Sequence, residues 1–305
     1  LAGNLMERGG ISKRLIELAN SFLGARTGGL GMVTILSSMF FSSISGSGPA
    51  TTAAIGSIMI PSMVKKGYDI RFASATQAAA GELGVIIPPS ITMVLFGIAA
   101  GVSIGALFIA GILPGLLIAL SLMLVMYVVA KKRGYSGGER STWKERLTAL
   151  QHAILPLLMP LIILGGIYGG IFTPTEAAVV ASVYALILGV LIYRELKWKD
   201  LWHVFYKSAI MSAVILVIIS AAGLFGWILT SNGVPQMVAQ FFAGISDNPI
   251  IFLLLINLLL FIIGMFFDAG AAIIILAPIL TPIAMSLGID PVHFGILMVV
   301  NMEVG

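Results

Sequence analysis

Long stretches without a formal charge constrain this chain most. No Asp, Glu, Lys or Arg occurs between Glu82 and Lys131, between Arg146 and Glu176, or between Lys207 and Asp247. A helix of about 20 apolar residues spans a bilayer. The runs therefore predict spans near 71–101, 105–130, 152–171, 175–193 and 208–230, with a last one entering near 292. Shorter apolar arms lie at 29–44, 50–64, 249–267 and 270–287. Uninterrupted runs exclude a membrane β-barrel, whose strands alternate over about 10 residues. Composition excludes a water-soluble globule, because only 10% of the 305 residues are charged, against roughly 25% in soluble domains. The excess of 17 Lys and Arg over 13 Asp and Glu is too small for a nucleic-acid binder. The absence of Cys removes disulfide frameworks and thiolate metal sites. The chain starts at Leu1-Ala-Gly-Asn and stops at Met302-Glu-Val-Gly305. It reads as an internal piece of a longer membrane protein.

Basic clusters at 8–26, 65–71, 131–146 and 194–207 give a topology. Positive residues favour the cytoplasmic side. Two spans separate the second cluster from the third, and two more separate the third from the fourth, so all four can face the cytoplasm. After Lys207 there is no Lys or Arg, as expected of a segment that starts outside. Residues 11–23 and 195–206 mix apolar residues with Lys and Arg, the second carrying Trp198 and Trp202. Both read as helices lying in the headgroup plane.

The chain also repeats. Shifted by 221 residues, Pro49–Gly84 lies on Gly270–Gly305 without a gap, and seven pairs match. They include Pro61/Pro282, Gly67/Gly288, Asp69/Asp290, Glu82/Glu303 and Gly84/Gly305, which are turn formers and carboxylates rather than interchangeable aliphatics. The intervening crossings are odd in number, which inverts the second copy. Inverted repeats mark secondary transporters, with the substrate near the midplane at the repeat interface.

Three polar breaks interrupt the apolar arms. The first runs from Ser42 to Thr52 and contains Ser45-Gly46-Ser47-Gly48. Its flanking arms are too short to cross comfortably and both end at basic clusters, so it reads as a re-entrant hairpin with its tip in mid-membrane. Irregular backbone is tolerated there only within protein or beside a water-filled cavity. Its hydroxyls and carbonyls suit Na⁺, and the helix start near Pro49 suits an anion. The second break, Gly264–Gly270, holds Asp268, which aligns with Ser47. Asp268 either contacts an ion or substrate hydroxyl, or caps the next helix. The third, Gly81–Ser90, contains Glu82 and the pair Pro88-Pro89, which lacks backbone donors and breaks the helix. Glu82 can pair, protonate or support an ion site, and repeats as Glu303. Thr173-Pro-Thr-Glu176 reads as a capping box. Gly67-Tyr-Asp69 and Gly288-Ile-Asp290 read as surface turns. His152, His203 and His293 are isolated. They form neither a transition-metal site nor the dyad of an intramembrane enzyme, so the chain reads as a non-enzyme.

Taken in order, Leu1–Gly10, Ser45–Thr52, Gly81–Ser90, Ile109–Gly115, Phe172–Ala178 and Gly264–Pro282 resemble the large permease subunit (M subunit, DctM-like) of tripartite ATP-independent periplasmic (TRAP) transporters. The resemblance implies an all-α polytopic fold with inverted repeats, two re-entrant hairpins and discontinuous helices, working as an elevator in a bacterial or archaeal inner membrane. It implies a small membrane subunit (Q), a periplasmic binding protein (P), Na⁺ as coupling ion without other cofactor, and a small organic acid such as a C4-dicarboxylate or sialic acid. On that pattern Ser45, Gly46, Ser47, Gly48, Pro88, Pro89, Ser90 and Asp268 bind sodium or substrate, with Glu82 and Glu303 in support. A second Pro-Pro break is expected just past Gly305. The domain reading is an arm at 1–27, a first transport unit at 28–104, a scaffold with a second arm at 105–230, and a truncated second transport unit at 231–305. The runner-up is a divalent-anion/Na⁺ symporter that needs no binding protein.

Overall fold

A computed structural model describes residues 1–138, 140–234, 236–238, 240 and 248–305, and contains no strand among them. Asp247, which closes the third uncharged run, lies outside the described residues. In order, α1 is Ala2–Arg8, α2 Ile11–Leu23, α3 Gly29–Ser45, α4 Gly48–Lys65, α5 Ile70–Gly81, α6 Leu83–Ile86 and α7 Ile91–Ala100. Next come α8 (Ile104–Arg133), α9 (Trp143–Tyr168), α10 (Pro174–Leu186, continued by a π-helical turn, Ile187–Ile192) and α11 (Trp198–Ser231). The described chain ends with α12 (Pro249–Gly264), α13 (Ala269–Ser286) and α14 (Pro291–Val304). Among the described residues five helices are long and apolar enough to cross a membrane, or six if the run broken at Pro88-Pro89 counts as one span. This is the build of a multi-pass membrane protein.

Local chemistry sets the element boundaries. Thr142 with Glu145, and Thr173 with Glu176, form reciprocal capping boxes that start α9 and α10, so orphan N–H groups of each first turn are satisfied. The Pro88-Pro89 break appears as expected: α6 ends, Ile87 turns extended, the Pro88-Pro89 bond is cis, and helix resumes at Ile91. The second interfacial segment differs from expectation. Residues 198–206 run without interruption into the span that follows, as one helix of 34 residues. Trp198 and Trp202, both exposed, therefore sit on the first turns of a spanning helix.

The chain divides into two compact units. One comprises Leu1–Ser90 and Ile112–Ser208, the other Ile91–Gly111 and Ala209–Gly305. In the first unit α2 lays Ile11, Leu15, Leu18 and Ala19 against α3 and α9. Phe41, Ile55 and Met59 extend that core through the α3–α4 hairpin. The start of α2 meets the segment after α10: Arg14 pairs with Glu195 at 2.8 Å and lies 3.7 Å from the Tyr193 ring centroid. The two segments read as interfacial thus touch. In the second unit α7 packs on α13 and α14. Phe96 fills the space that a side chain at Gly295 would occupy, and Phe252 stacks on Phe294 with centroids 6.2 Å apart.

The internal repeat is visible atom by atom. Helices α4 and α13 both have 18 residues and coincide under the 221-residue offset. Ser47 accepts from Ala50 N, and its counterpart Asp268 accepts from Ala271 N. After α4, Lys66 N and Tyr68 N donate to Met63 O, and Gly67 N to Val64 O. After α13, Leu287 N and Ile289 N donate to Ala284 O, and Gly288 N to Met285 O, each at the equivalent position. Gly67 and Gly288 take positive φ, 86° and 77°, the region that favours glycine. Asp69 then caps α5 through Phe72 N, and Asp290 caps α14 through His293 N. Seven sequence identities mark the skeleton of a shared backbone.

Candidate functional site

The first break is a tight helix–turn–helix tip. Gly46 closes α3 at φ 64°, its N–H donating to Ser42 O at 2.9 Å. Ser47 is extended and caps α4, which begins at Gly48. Ser45 Oγ lies 3.0 Å from Thr51 Oγ1. Ser47 O accepts twice from Thr51, from N at 3.0 Å and from Oγ1 at 2.8 Å. Hydroxyl and carbonyl oxygens therefore converge within one turn of backbone, beside the N-terminus of an 18-residue helix. Such oxygens are hard ligands for a small cation, and the helix start attracts negative charge.

Glycines bring the third break onto this tip. A Cβ at Gly84 would stand 2.5 Å from Ser47 O and 2.8 Å from Thr51 Oγ1. A Cβ at Gly81 would stand 3.1 Å from Thr52 Cβ and would overlap Thr52 Oγ1. The half-buried Glu82 lies between these contacts, at the α5–α6 junction. Ser45, Gly46, Ser47, Gly48 and Glu82 are thus brought into one neighbourhood. Ser90 is buried just after the cis Pro88-Pro89 bond; Pro88, Pro89 and Ser90 follow this neighbourhood in the chain.

Several members of the site were missed by sequence reasoning. Gln77 is fully buried on α5, with Nε2 3.5 Å from both Ser38 Oγ and Thr51 O. Thr34, Ser38 and Ser42 are fully buried on α3, at the four-residue spacing that lines one helix face, and of these only Ser42 belongs to the first break as read from the sequence. Ser42 Oγ, Ser37 Oγ and Gln77 Oε1 have no hydrogen-bond partner among the described residues. A bound water or ion is one way to satisfy buried polar atoms of this kind. The serines were visible as a run, but nothing in Thr-Gln-Ala-Ala-Ala singles out Gln77.

The second break lies in the other unit. Asp268 is exposed and holds Ala271 N at 3.1 Å, so it caps α13. A Cβ at Gly264, at the end of α12, would stand 2.8 Å from Met302 O and 3.2 Å from Gly305 Cα, and half-buried Glu303 lies between these two in sequence. A side-chain bridge also ties α12 to α14, Asn301 Nδ2 donating to Asn257 Oδ1. Neither asparagine was singled out from the sequence.

The family model of the tripartite ATP-independent periplasmic transporter, DctM component, matches residues 1–305. The chain belongs to this family. The family is a transporter permease. Over all 305 residues the chain is 50% identical to the isethionate TRAP transporter permease protein DctMQ of Oleidesulfovibrio alaskensis, covering 48% of that protein. It is 45% identical to the C4-dicarboxylate TRAP transporter large permease protein DctM of Pseudomonas aeruginosa, covering 71% of it. It is 42% identical to the sialic acid TRAP transporter large permease protein SiaM of Vibrio cholerae, again covering 71%. This DctM-family chain thus spans about half of the DctMQ relative and about seven-tenths of the other two.

Proposed function

We propose that the protein is the large permease subunit of a Na⁺-coupled TRAP importer of small organic acids, seated in a bacterial or archaeal inner membrane. The observation that carries this reading is the α3–α4 tip, where Ser45, Ser47 and Thr51 gather oxygens beside a helix N-terminus. Hydroxyl and carbonyl oxygens hold Na⁺. The N–H groups at the start of α4 and nearby hydroxyls hold the acidic group of the substrate, a carboxylate or a sulfonate. Binding of the cation first removes the cost of placing an anion near carbonyl oxygens, which couples the two. The other predicted residues complete the site: Gly46 and Gly48 shape the tip, Pro88, Pro89 and Ser90 offer freed backbone and hydroxyl oxygens, and Asp268 serves the second tip. Glu82 and Glu303 support them. Both tips belong to re-entrant hairpins, and the permease works as an elevator.

The substrate arrives on a periplasmic binding protein, and a small membrane subunit completes the permease. Support comes from the relatives, whose names carry isethionate, C4-dicarboxylate and sialic acid. All three are acids. The test is uptake of these acids into proteoliposomes holding the complete transporter. An inward Na⁺ gradient and the binding protein are varied separately. Uptake that needs both supports the reading. Uptake with Na⁺ but without the binding protein replaces it with the stand-alone symporter. Uptake indifferent to Na⁺ removes the coupling assignment.

A further inference from the structure

Two loops on the basic side of the first unit are stitched together. Gly28 N donates to Tyr135 O at 3.1 Å, and Gly138 N to Gly24 O at 2.8 Å. The backbones run so close that a Cβ at Gly137 would stand 2.3 Å from Ala25 O. Tyr135 is held from its other side, stacked on Tyr68 with centroids 4.1 Å apart and accepting at Oη from Asp69 N. This stitching sets Arg26, on the first loop, and Arg140, just past the second, on one cavity of about 1190 Å³.

Arg146, from the first turns of α9, also lines the cavity. Its Nε donates to Ser21 O at 3.1 Å, and its guanidinium lies 5.3 Å from the Trp143 ring centroid and 5.8 Å from that of Phe22. That contact engages one of the five donors of the group. Among the described residues no carboxylate lines the cavity. The two ion pairs among the described residues, Arg14–Glu195 and Lys207–Glu7, lie elsewhere. The opposite wall is apolar, built from Leu120, Met123 and Leu124 of α8. Leu120 and Leu124 are exposed, and α8 is apolar enough to span a membrane.

Three arginines lining one cavity with apolar residues of a spanning helix are the two halves of an amphiphile's binding site. Guanidiniums bind phosphate through paired N–H bonds. Basic pockets between spanning helices take anionic headgroups. A soluble anion has no use for the leucine wall, and an apolar protein helix has no use for three arginines. We propose that this cavity binds an anionic phospholipid, with its phosphate on Arg26, Arg140 and Arg146 and its acyl chains along α8.

The test uses the complete transporter, purified in mild detergent and incubated with phosphatidylglycerol or phosphatidylcholine. Retained lipid is read by native mass spectrometry. Phosphatidylglycerol is expected to be retained over phosphatidylcholine. At about 1 kcal/mol per basic residue, each Arg→Gln change lowers retention roughly fivefold, and R26Q/R140Q/R146Q on the order of a hundredfold. Leu124→Trp, which fills the apolar wall and keeps every charge, is expected to lower retention too, and tests the idea even where the triple variant does not fold. K131Q/K132Q/R133Q removes equal charge from the end of α8 outside the cavity. An equal loss in that variant refutes a defined site, as does equal retention of phosphatidylcholine. Displacement of the lipid by millimolar inorganic phosphate makes this a soluble-anion site instead. Retention by the large subunit alone but not by the complete transporter makes it a protein interface.

Discussion

Gly84→Ala tests the tip geometry with one methyl group. The added Cβ would stand 2.5 Å from the Ser47 carbonyl oxygen, 2.7 Å from its carbon and 2.8 Å from Thr51 Oγ1. Atoms at their optimal separation stand about 3.5–4.0 Å apart, so the tip must retreat by roughly 1 Å. Two of the three clashing atoms are backbone, so no rotamer change relieves them. Overpacking of this kind costs about 1–3 kcal/mol. The retreat also loads the Ser45–Thr51 contact and the two hydrogen bonds that Thr51 donates to Ser47 O. If that cost falls on the competent tip, uptake declines about 5- to 150-fold. Gly165→Ala is the matched control. Gly165 lies in the interior of α9 with nothing within 4 Å of an added Cβ, and Ala should stabilise that helix by roughly 0.5–1 kcal/mol. The two variants are compared by thermal unfolding in detergent and by initial uptake rate in proteoliposomes. The expected signs are opposite: Gly84→Ala unfolds earlier and transports less, whereas Gly165→Ala unfolds at or above the parent temperature. If both variants unfold and transport like the parent, close approach at Gly84 has no part in the tip.

Further outcomes follow from single contacts. Gly81→Ala should destabilise through Thr52, and Thr52→Ala in the same chain should recover part of the loss. A double-mutant cycle on unfolding temperature that shows no coupling refutes the contact. Asp268→Asn keeps an oxygen for Ala271 N, whereas Asp268→Ala loses about 1 kcal/mol of cap. Equal Na⁺ dependence of uptake in the parent and the Asn variant would leave Asp268 with the capping role alone. Asn301→Leu leaves Asn257 Oδ1 without its donor, at about 1–3 kcal/mol, whereas Asn257→Leu leaves Asn301 Nδ2 its bond to Leu297 O and should cost less. The double Leu variant should be more stable than either single one, as read by chemical or thermal unfolding.

The legible parts of this protein were those governed by local chemistry. Gly67-Tyr-Asp69 and Gly288-Ile-Asp290 each combine a residue suited to positive φ with a helix-capping carboxylate, and each makes that turn. Thr173-Pro-Thr-Glu176 forms its capping box for the same reason. Pro88-Pro89 can only interrupt a helix. The remainder depends on partners distant in sequence. Gln77 sits among alanines and becomes notable only because Ser38 and Thr51 lie against it. Gly81 and Gly84 look like ordinary small residues of an apolar span until Thr52 and Ser47 approach them. Residues 195–206 were read apart from the span because charge and aromatic content change there. Backbone hydrogen bonding ignores that change, and nothing between Trp198 and Ser231 stops the helix.

Equal backbones need not be equal electrically. Helices α4 and α13 begin with the same capping bond, made by a hydroxyl at Ser47 and by a carboxylate at Asp268. A helix start carries roughly half a positive charge. Asp268 more than cancels that charge at α13, while Ser47 leaves it standing at α4. Duplicated architecture has thus produced a polarised pair, with a neutral cap at one terminus and an acidic cap at the other.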